Sequence, residues 1–529
     1  MDLKSCVNER IIVVNVGRVL SETAQRFPGK TAIIFKDEKI SFSDLDLMAT
    51  RVANKLRTFK VKKGDPIALI LPNSSQWVVV YFGVMKLGAI AVPLDFRFKW
   101  EELSPILADA QVKAVITTAL YRSYDVFSKV KNIEKIIMTG EKVVDGAERY
   151  EEVVSDESFS SEVMVDIKEE EDALYLYTSG TTGKPKGVVL TFSNLDLFPE
   201  VLAEFCRTSE SDILGCPLPL SHISGPIVCN ETVVRGSTLY IFDNLRPDKI
   251  LAAMEIHQIT YFFGVPPIFE ALLHVPHRKR FNLRSLRFVS MMGTSIPLDL
   301  LKKFKMAFPS LAVIQGYGLT ETSPQITLVP LEYEQQKMGS IGSAVPHAEI
   351  KLLDERGEEV PVGEVGELIV RGPMVMKGYH NDPEGTRERI KDGWFYTSDL
   401  CREDEDGFYY HLGRKDDMIN VGGLNVYPAE VEQVLREHPL LKEAGVVGIP
   451  DRDRGEIIKA ALVVKPGSKI TKKEIISYCR QKLANFKVPK VVEFWDELPK
   501  SSTGKIARRE LIDQKKCMTY QKLSNRRKV

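Results

Sequence analysis

Residues 177–187 read Tyr177-Thr-Ser-Gly-Thr-Thr-Gly-Lys-Pro-Lys-Gly187 and combine four Ser or Thr hydroxyls, three glycines and two lysines. The apolar runs on either side, Leu174–Tyr177 and Val188–Leu190, each predict a β-strand. Glycine lets a backbone turn tightly with its N–H groups close to a ligand, and the hydroxyls and lysines add donors and positive charge. The composition therefore predicts a loop that holds a polyphosphate, with a polar hairpin turn as the alternative.

The spacing of this loop differs from that of a Walker A motif, Gly-x-x-x-x-Gly-Lys-Ser/Thr. Only two threonines separate Gly180 from Gly183-Lys184, and Pro185 follows. Proline at that position disfavours a helix that opens with a free N–H aimed at phosphate. We therefore predict a phosphate loop of another kind.

The bulk composition excludes several classes of protein. The chain has 529 residues, enough for more than one core, and its formal net charge is zero, so nothing indicates a nucleic-acid partner. Seven scattered cysteines without a Cys-x-x-Cys pair disfavour a disulfide framework or a zinc site. The run Ile11–Val14 is too short for a signal-peptide core, and no apolar stretch approaches the ~20 residues of a membrane span. We expect a cytoplasmic protein whose basic tail, Lys505–Val529, is either solvated or in weak contact with an anionic membrane surface.

Strand and helix patterns alternate along most of the chain. A hairpin is predicted over Ala32–Phe42, a helix from Ser43, and a βαβ unit over Ile67–Pro93, and the alternation returns over Thr238–Leu273. This pattern predicts an α/β fold with largely parallel sheets in layers.

A second, smaller α/β domain is predicted after residue 413. Its elements are an apparent helix Asn425–Arg436, strand candidates Glu443–Ile449 and Ala460–Val464, and a helix from Lys472 to about Leu483. We predict an N-terminal domain over 1–413, a hinge over 414–417 and a C-terminal domain over 418–529. The boundary falls inside a motif, which suggests a site shared between the two domains.

Further motifs follow the loop in order: Tyr317-Gly-Leu-Thr-Glu321, Tyr396-Thr-Ser-Asp399, Gly413-Arg-Lys-Asp416, Val421-Gly-Gly423 and Pro499-Lys-Ser-Ser-Thr-Gly-Lys505. Together they resemble the signature motifs of the adenylate-forming superfamily, which includes acyl-CoA synthetases, firefly luciferase and the adenylation domains of nonribosomal peptide synthetases. The resemblance spans most of the chain. It implies a large N-terminal domain of layered α/β subdomains and a small mobile C-terminal α/β domain.

The resemblance also implies ATP and CoA as co-substrates, Mg²⁺ as the metal, and a role for each matching residue. The β- and γ-phosphates would be held by Thr178, Ser179, Gly180, Thr181, Thr182, Gly183, Lys184 and Lys186. Adenine and its surroundings would involve Gly293, Thr294, Ser295, Tyr317 and Gly318, although the family often has Gly-Gly-Ala-Pro where this chain has Gly293-Thr-Ser-Ile-Pro297. Asp399 would accept both ribose hydroxyls, and Arg414 would reach the ribose or the phosphates.

The same resemblance implies the catalytic groups. Glu321 would bind Mg²⁺ with Thr320 at the α-phosphate, and Lys505 would be the mobile lysine that stabilises the adenylation transition state. Asp416 would be the hinge residue, with Gly422 and Gly423 beside the path of CoA. Each role has a structural alternative: a helix-start acid for Glu321, a core tyrosine for Tyr317, a turn or N-cap aspartate for Asp399, a surface lysine for Lys505 and a core histidine for His222.

His222 matches the family histidine at the acyl entrance and would be the fourth catalytic residue. No aspartate lies beside it in the sequence, so an amino acid's ammonium has no obvious counter-charge. Relatives that activate acetate carry a tryptophan near Tyr317, and Gly316 is therefore expected to leave the pocket open. The expected pocket residues are Ile223, Gly225, Phe263, Val265 and Gly316.

These features favour an ATP-dependent acyl-CoA synthetase that activates a medium- or long-chain fatty acid through an acyl-adenylate. The alternatives are an aryl-acid CoA ligase, a ligase that loads a carrier protein with an acyl group, and a non-catalytic acyl-nucleotide binding protein. The expected partners are a small carboxylic acid, ATP and CoA.

Overall fold

The structure is a computed structural model that describes residues 15–118, 133, 135–141, 143–179, 185–293, 296–422, 424–451, 455–500 and 506–512. The first part of the chain forms α1 (Val16–Arg26), β1 (Thr31–Phe35), β2 (Glu38–Ser41), α2 (Phe42–Thr58), β3 (Pro66–Ile70), α3 (Ser75–Lys86), β4 (Ile90–Pro93), α4 (Trp100–Asp109), β5 (Ala114–Thr118), β6 (Lys135–Thr139), β7 (Glu148–Arg149), α5 (Tyr150–Ser155), β8 (Asp172–Ser179), β9 (Pro185–Thr191) and α6 (Leu197–Cys206).

The middle part forms β10 (Ile213–Cys216), α7 (Ser224–Arg235), β11 (Thr238–Ile241), α8 (Pro247–Ile256), β12 (Tyr261–Gly264), α9 (Pro266–Leu273), β13 (Phe288–Met291), α10 (Leu298–Ala307), β14 (Ala312–Tyr317), β15 (Thr327–Leu328), β16 (Ser343–Ala344), β17 (Glu349–Leu353), β18 (Val365–Arg371), β19 (Gly378–Tyr379), α11 (Pro383–Arg389), β20 (Ile390–Lys391), β21 (Trp394–Glu403) and β22 (Tyr409–Arg414). The last part forms β23 (Ile419–Val421), β24 (Leu424–Val426), α12 (Pro428–Arg436), β25 (Leu441–Asp451), β26 (Gly455–Val464), α13 (Lys472–Lys482), β27 (Val491–Trp495) and α14 (Arg508–Ile512).

Within the described ranges, these strands form four sheets. One has the order β19-β9-β8-β4-β3-β5-β6-β7, and another has the order β16-β15-β14-β13-β12-β10-β11-β1-β2. A smaller sheet joins β17, β18, β21 and β20, with β22 beside β21. The fourth sheet belongs to the C-terminal domain and joins β24, β23, β26 and β25, with β27 beside β26.

The two largest sheets are mostly parallel because helices cross over between their strands. β3 pairs in parallel with β4 and with β5, which confirms the predicted βαβ unit. Every residue of Ile67–Ile70 has no exposed surface, as expected for a strand covered on both faces. The crossing helix α3 is buried around its whole circumference, including Trp77, Tyr81 and Phe82. The predicted α/β class, with a large N-terminal and a smaller C-terminal domain, is confirmed.

Two of the predicted helix starts were wrong. α2 begins at Phe42, because the Asp44 N–H donates to Ser41 Oγ at 3.1 Å and makes Ser41 the N-cap. Asn425, expected in a helix, lies in β24 opposite Asn420, and helix α12 begins only at Pro428. A proline in the first helical turn needs no N–H partner, so the helix can start there.

Among the described residues, no helix has both the length and the apolar character needed to cross a lipid bilayer. Five cysteines lie in the described ranges, and all five are buried free thiols: Cys206, Cys216, Cys229, Cys401 and Cys479.

Candidate active site

The predicted phosphate loop joins two antiparallel strands, β8 and β9, as the flanking apolar runs indicated. Thr178 lies opposite Lys186 in the ladder, and Ser179 lies opposite Pro185 at its end. The loop residues Gly180, Thr181, Thr182, Gly183 and Lys184 lie outside the described part of the chain. The hairpin therefore places Thr178, Ser179 and Lys186 at the base of the loop.

A cluster of polar side chains packs against this hairpin. The Tyr177 phenol donates to Asp109 Oδ2 at 2.5 Å, and the backbone oxygen of Asp109 accepts from His380 Nε2 at 3.1 Å and from Asn381 Nδ2 at 3.2 Å. A Cβ atom at Gly187 would lie 3.0 Å from the Tyr177 ring, so the absence of a side chain there permits the close packing. No local pattern in the sequence indicates this cluster, because its members come from three distant segments.

The segment 376–380 connects the phosphate hairpin to Glu321. The Met376 N–H donates to the Glu321 carbonyl at 2.8 Å, and the Tyr379 phenol donates to Glu321 Oε1 at 2.9 Å. Lys186 Nζ lies 5.0 Å from the centre of the Tyr379 ring. Burial and the nearby Glu321 carboxylate raise the pKa of Tyr379, which therefore remains a neutral donor at physiological pH. The fold thus brings the predicted metal carboxylate and a predicted phosphate lysine to one tyrosine.

Thr320 and Glu321 lie in the short 3₁₀ helix Thr320–Thr322, directly after β14. The turn that precedes them depends on Gly318, because a Cβ atom there would lie 1.3 Å from the carbonyl oxygen of Pro324. No side chain fits that space without a backbone shift. The sequence between Tyr317 and Glu321 is thus constrained by packing as well as by chemistry.

Among the described charged residues of the predicted nucleotide site, Asp399 is the most deeply buried, at 2 % exposed. The Tyr317 phenol donates to its Oδ2 at 2.6 Å, while His411 Nε2 and Arg414 Nε lie 3.1 and 3.6 Å from its Oδ1. Burial alone would raise the pKa of Asp399, but the contacts with His411, Arg414 and Tyr317 outweigh burial and hold it below its ordinary value. Asp399 is therefore an ionised acceptor, as hydrogen bonding to a ribose requires.

His411 also stacks on the ring of Tyr317, with ring centres 5.7 Å apart and planes 27° apart. None of the sequence motifs includes His411, which faces Asp399 because β21 and β22 are adjacent antiparallel strands. The stacking of Tyr317 on adenine stays a prediction. Its phenol oxygen is already committed to Asp399, so the adenine and ribose predictions involve one connected group of side chains.

The expected open space at Gly316 is not found. A Cβ atom at Gly316 would lie 2.0 Å from Gln325 Nε2 and 2.8 Å from Leu328 Cδ1. Gln325 is buried and donates to the Thr327 carbonyl at 2.5 Å, which fixes its side chain in this position. The space on the Cβ side is closed because Gln325 and Leu328 occupy it, and Leu328 lies opposite Gly316 in β15. Gly316 as a residue of the acyl pocket stays a prediction.

The fold also supplies the acidic neighbour that the sequence around His222 lacks. Asp95 follows β4 and interacts electrostatically with His222. Arg97 Nε and Nη2 donate to the two oxygens of Asp95 at 2.9 and 2.5 Å, so this carboxylate is paired. Burial lowers the pKa of His222; Asp95 opposes this effect and Arg97 adds to it, leaving the imidazole neutral at pH 7.

The remaining acyl-pocket residues differ in exposure. Ile223 and Val265 are half-buried and pack against the main core. Phe263, by contrast, is 1 % exposed and packs edge-on against Phe198 and Tyr261, so it presents almost no surface to a ligand. Gly225 is required by packing, because a Cβ atom there would lie 1.9 Å from the Leu220 carbonyl oxygen.

Gly293 lies two residues after β13 with φ +85°, a left-handed conformation that glycine adopts without strain. A Cβ atom there would lie 3.4 Å from Val265 Cγ1, which places the predicted adenine turn beside the predicted acyl wall. Thr294 and Ser295 lie outside the described residues.

The predicted hinge residue Asp416 lies between two neighbours that are held by ion pairs. Lys415 Nζ lies 2.8 Å from Glu367 Oε2 in β18, and Asp417 Oδ2 lies 3.4 Å from Arg508 Nη1 in α14. The first partner belongs to the N-terminal domain and the second to the C-terminal domain. The side chain of Asp416 itself is exposed. We call these two contacts the hinge anchors.

Of the three site residues predicted in the C-terminal domain, the structure describes only Gly422. Gly422 has φ +63°, and a Cβ atom there would meet nothing within 4 Å. Gly423 and Lys505 lie outside the described residues. Lys500 and Ile506, the described residues on either side of 501–505, form an antiparallel bridge.

Comparisons with known proteins agree with this geometry. A family model for AMP-binding enzymes matches residues 20–380, and a model for the AMP-binding enzyme C-terminal domain matches residues 430–505. The chain is 35% identical over 527 residues to a long-chain-fatty-acid–CoA ligase of Bacillus subtilis (strain 168), with 94% of each chain covered. It is also 35% identical over 490 residues to a feruloyl-CoA synthase of Amycolatopsis sp, covering 92% of this chain and 96% of that relative. The solved structure of an anthranilate CoA ligase in complex with anthranoyl-AMP superposes with a TM-score of 0.87, at 28% identity, and the match covers 98% of this chain and 99% of the other.

The layered fold, the buried ionised Asp399 and the two family matches together define the class, and the chain belongs to the AMP-binding enzyme family. It is an adenylate-forming enzyme and, like its curated relatives, an AMP-forming acid–thiol ligase. The resemblance stated from the sequence motifs is thereby confirmed. A non-catalytic binding protein, one of the alternatives, is not supported.

Proposed function

We propose that the protein is an ATP-dependent acyl-CoA synthetase that activates a medium- or long-chain fatty acid. The observation that carries the proposal is the charge state of the region around His222. The carboxylate that the fold brings there, Asp95, is already paired with Arg97 through two hydrogen bonds. An ammonium or a second carboxylate on the substrate would therefore meet no uncompensated charge, and burying it would be costly. A substrate with an apolar body fits this region best.

The apolar surroundings support the same choice. Ile223, Val265, Met292 and Leu319 are half-buried and pack against the main core, so each keeps some surface for a ligand. An alkyl chain gains about 0.8 kcal/mol for each methylene removed from water. The match to the Bacillus subtilis long-chain ligase, which covers 94% of both chains, favours a fatty acid.

The chemistry needs two steps at one site. In the first, a carboxylate oxygen attacks the α-phosphorus of ATP, pyrophosphate leaves and an acyl-adenylate forms. In the second, the thiol of CoA attacks the acyl carbon, loses its proton and displaces AMP. We assign the ribose to Asp399 and the β- and γ-phosphates to Thr178, Ser179 and Lys186, because positioning and charge compensation are what such a transfer requires of a protein.

Mg²⁺ would be held by Glu321. In the described ranges, no group of three or more His, Cys, Asp or Glu side chains could hold a metal ion by itself. A single carboxylate fits an ion whose other ligands are nucleotide oxygens and water, as is usual for Mg²⁺. When bound, the ion would offset the charge of the phosphates.

The C-terminal domain would serve both steps by rotating about Asp416. Lys505 would act while the adenylate forms, and Gly422 and Gly423 would border the path of the CoA thiol in the second step. The left-handed φ of Gly422 and the empty space around its Cβ position are compatible with a close approach of pantetheine to the backbone.

An aryl-acid CoA ligase is the second candidate. This candidate is favoured by the feruloyl-CoA synthase of Amycolatopsis sp, because this chain is 35% identical to it and 35% identical to the fatty-acid ligase. A carrier protein's phosphopantetheine arm could replace CoA by the same chemistry, since both present the same thiol.

A substrate panel tests these alternatives. Pyrophosphate release is measured with acetate, octanoate, dodecanoate, hexadecanoate, ferulate and anthranilate, each with and without CoA, and acyl-CoA is quantified in parallel. We expect the highest kcat/KM with the fatty acids of eight or more carbons. Preference for the aromatic acids would support the second candidate, and pyrophosphate release without acyl-CoA would indicate a carrier protein. No release with any acid would contradict the proposal. Asp399→Ala, which removes the proposed ribose acceptor, is the negative control.

A further inference from the structure

Glu321, proposed to hold Mg²⁺, and Lys186, proposed to hold the phosphates, both lie beside Tyr379, a residue without a role so far. Glu321 comes from the segment after β14 and Lys186 from β9, yet both contact Tyr379. The Tyr379 phenol donates to Glu321 Oε1 at 2.9 Å, and Lys186 Nζ lies 5.0 Å from the centre of the same ring. Lys186 Nζ is also held 3.0 Å from Asp382 Oδ2, three residues further along the chain from Tyr379.

The backbone of Tyr379 is itself fixed from two sides. It lies opposite Val188 in the pairing of β19 with β9. Its N–H donates to Thr386 Oγ1 at 2.8 Å, and that hydroxyl in turn donates to the Asp382 carbonyl at 2.8 Å. A tyrosine held in this way can fix the groups that contact it, because its own position varies little.

We propose that Tyr379 is a positioning residue for adenylate formation. Its phenol holds the Glu321 carboxylate in the orientation that receives Mg²⁺, and its ring holds Lys186 ready for the phosphates. The inference rests on the proposed function, which assigns Glu321 and Lys186 to the nucleotide.

The physical reason lies in the direction of each contact. A hydrogen bond to Oε1 stops rotation of the Glu321 carboxylate and so gives Oε2 a set direction. The attraction between the ammonium and the ring face is weaker, but it restricts a side chain that otherwise has many rotamers. Without Tyr379 both groups would have to be ordered when ATP binds, which lowers affinity.

Two substitutions separate the two contacts. Tyr379→Phe removes the phenol oxygen and keeps the ring, so the Mg²⁺ concentration at half-maximal pyrophosphate release should rise about tenfold, as expected when a hydrogen bond to a charged group is lost. Tyr379→Leu removes the ring as well and should in addition raise the KM for ATP. Calorimetric titrations should show weaker binding of ATP with Mg²⁺ and unchanged binding of AMP, which lacks the β- and γ-phosphates.

Tyr410 provides a matched control. Its phenol donates to Asp404 Oδ2 at 3.1 Å, and the Arg402 guanidinium lies 5.3 Å from its ring centre. Tyr410→Phe therefore removes the same kind of hydrogen bond beside the same kind of cation, but not at Glu321. Its Mg²⁺ requirement and its affinity for ATP should equal those of the parent protein.

The outcomes distinguish the role of Tyr379 from the proposed function. If Tyr379→Phe and Tyr410→Phe show the same Mg²⁺ requirement and the same ATP affinity, the positioning role is refuted. A lower melting temperature of Tyr379→Phe with unchanged Mg²⁺ dependence would likewise assign it a merely structural role. If the parent protein releases no pyrophosphate with any acid, the proposed function fails, and the ATP and AMP titrations still decide the role of Tyr379.

Discussion

Replacing Glu231 with glutamine should stabilise the protein at neutral and alkaline pH and much less at pH 5. Glu231 lies in α7 with no exposed surface, and the Tyr261 phenol donates to its Oε1 at 3.2 Å. Burial raises the pKa of Glu231 to about 7, although Thr208, Arg235 and Tyr261 each lower it. The folded protein therefore keeps a proton on Glu231 over a pH range in which the unfolded chain has lost it.

The size of the effect follows from that difference in pKa. The pKa of Glu231 is higher in the folded protein than its ordinary value of 4.5, so its contribution to stability is complete below pH 4.5 and is lost as the pH rises through about 7. The complete loss amounts to about 3 kcal/mol of unfolding free energy, at about 1.4 kcal/mol for each pH unit. Glutamine does not titrate, yet its amide oxygen can still accept from Tyr261. The gain from Glu231→Gln should therefore be about 2 kcal/mol larger at pH 8 than at pH 5.

Urea unfolding followed by tryptophan fluorescence measures this gain. Trp77 stacks on Tyr81 with ring centres 5.4 Å apart, and the Tyr81 phenol donates to Asn230 Oδ1 at 3.0 Å, next to Glu231. The signal therefore includes a reporter of the packing beside α7.

Glu22→Gln is the matched control for Glu231→Gln. Glu22 is also a helical glutamate with an arginine four residues away, Arg18, but it is exposed. Because Glu22 lies at the surface, Glu22→Gln should change the free energy of unfolding little at either pH. A gain from Glu231→Gln that is independent of pH, or a loss of stability at pH 8, would refute the reasoning.

Three further predictions concern the active site. Asp399→Ala should weaken AMP and ATP binding by about 2–4 kcal/mol, since a buried ionised acceptor is lost; calorimetric titration checks this, and unchanged affinity would exclude the ribose assignment. Lys505→Ala should block adenylate formation but still convert supplied acyl-adenylate and CoA, which half-reaction assays measure; equal loss of both halves contradicts the rotation of the C-terminal domain. Gly316→Trp should reduce pyrophosphate release with acetate and with hexadecanoate alike, because it would displace Gln325 and Leu328; retained activity on acetate alone would show that this position opens onto the acyl pocket.

The parts of the fold that depend on local pattern could be predicted from the sequence. The βαβ unit at Ile67–Pro93 and the hairpin around the phosphate loop follow from short apolar runs and from the turn residues between them. The helix expected from Asn425 was wrong because the segment between the two glycines and Pro428 is too short for periodicity to separate strand from helix. Tertiary pairing with β23 decides that it is a strand.

The contacts that complete the site could not be predicted in this way. Asp95 follows β4 and Tyr379 lies in β19, both in one large sheet, whereas His222 follows β10 and Glu321 follows β14, both in the other. The interaction of Asp95 with His222 and the hydrogen bond of Tyr379 to Glu321 therefore connect the two sheets, and no local pattern in the sequence indicates which segments meet there. The closed space at Gly316 has a different origin, since Gln325 fills it from the turn that follows β14. A motif predicts which residue types are needed, whereas the packing of the two sheets determines which neighbours they have.

The hinge anchors have a mechanical consequence for catalysis. If the small domain rotates about Asp416, as proposed above, the ion pairs Lys415–Glu367 and Asp417–Arg508 would concentrate that rotation in the torsion angles of Asp416. The linker would then act as a pivot with a defined axis, and the domain would move along an arc between its two orientations. The rate of exchange between the two half-reactions would then depend on the torsional barrier at Asp416. Weakening either ion pair would make a longer stretch of the linker flexible, and the domain would take longer to reach each of its two orientations.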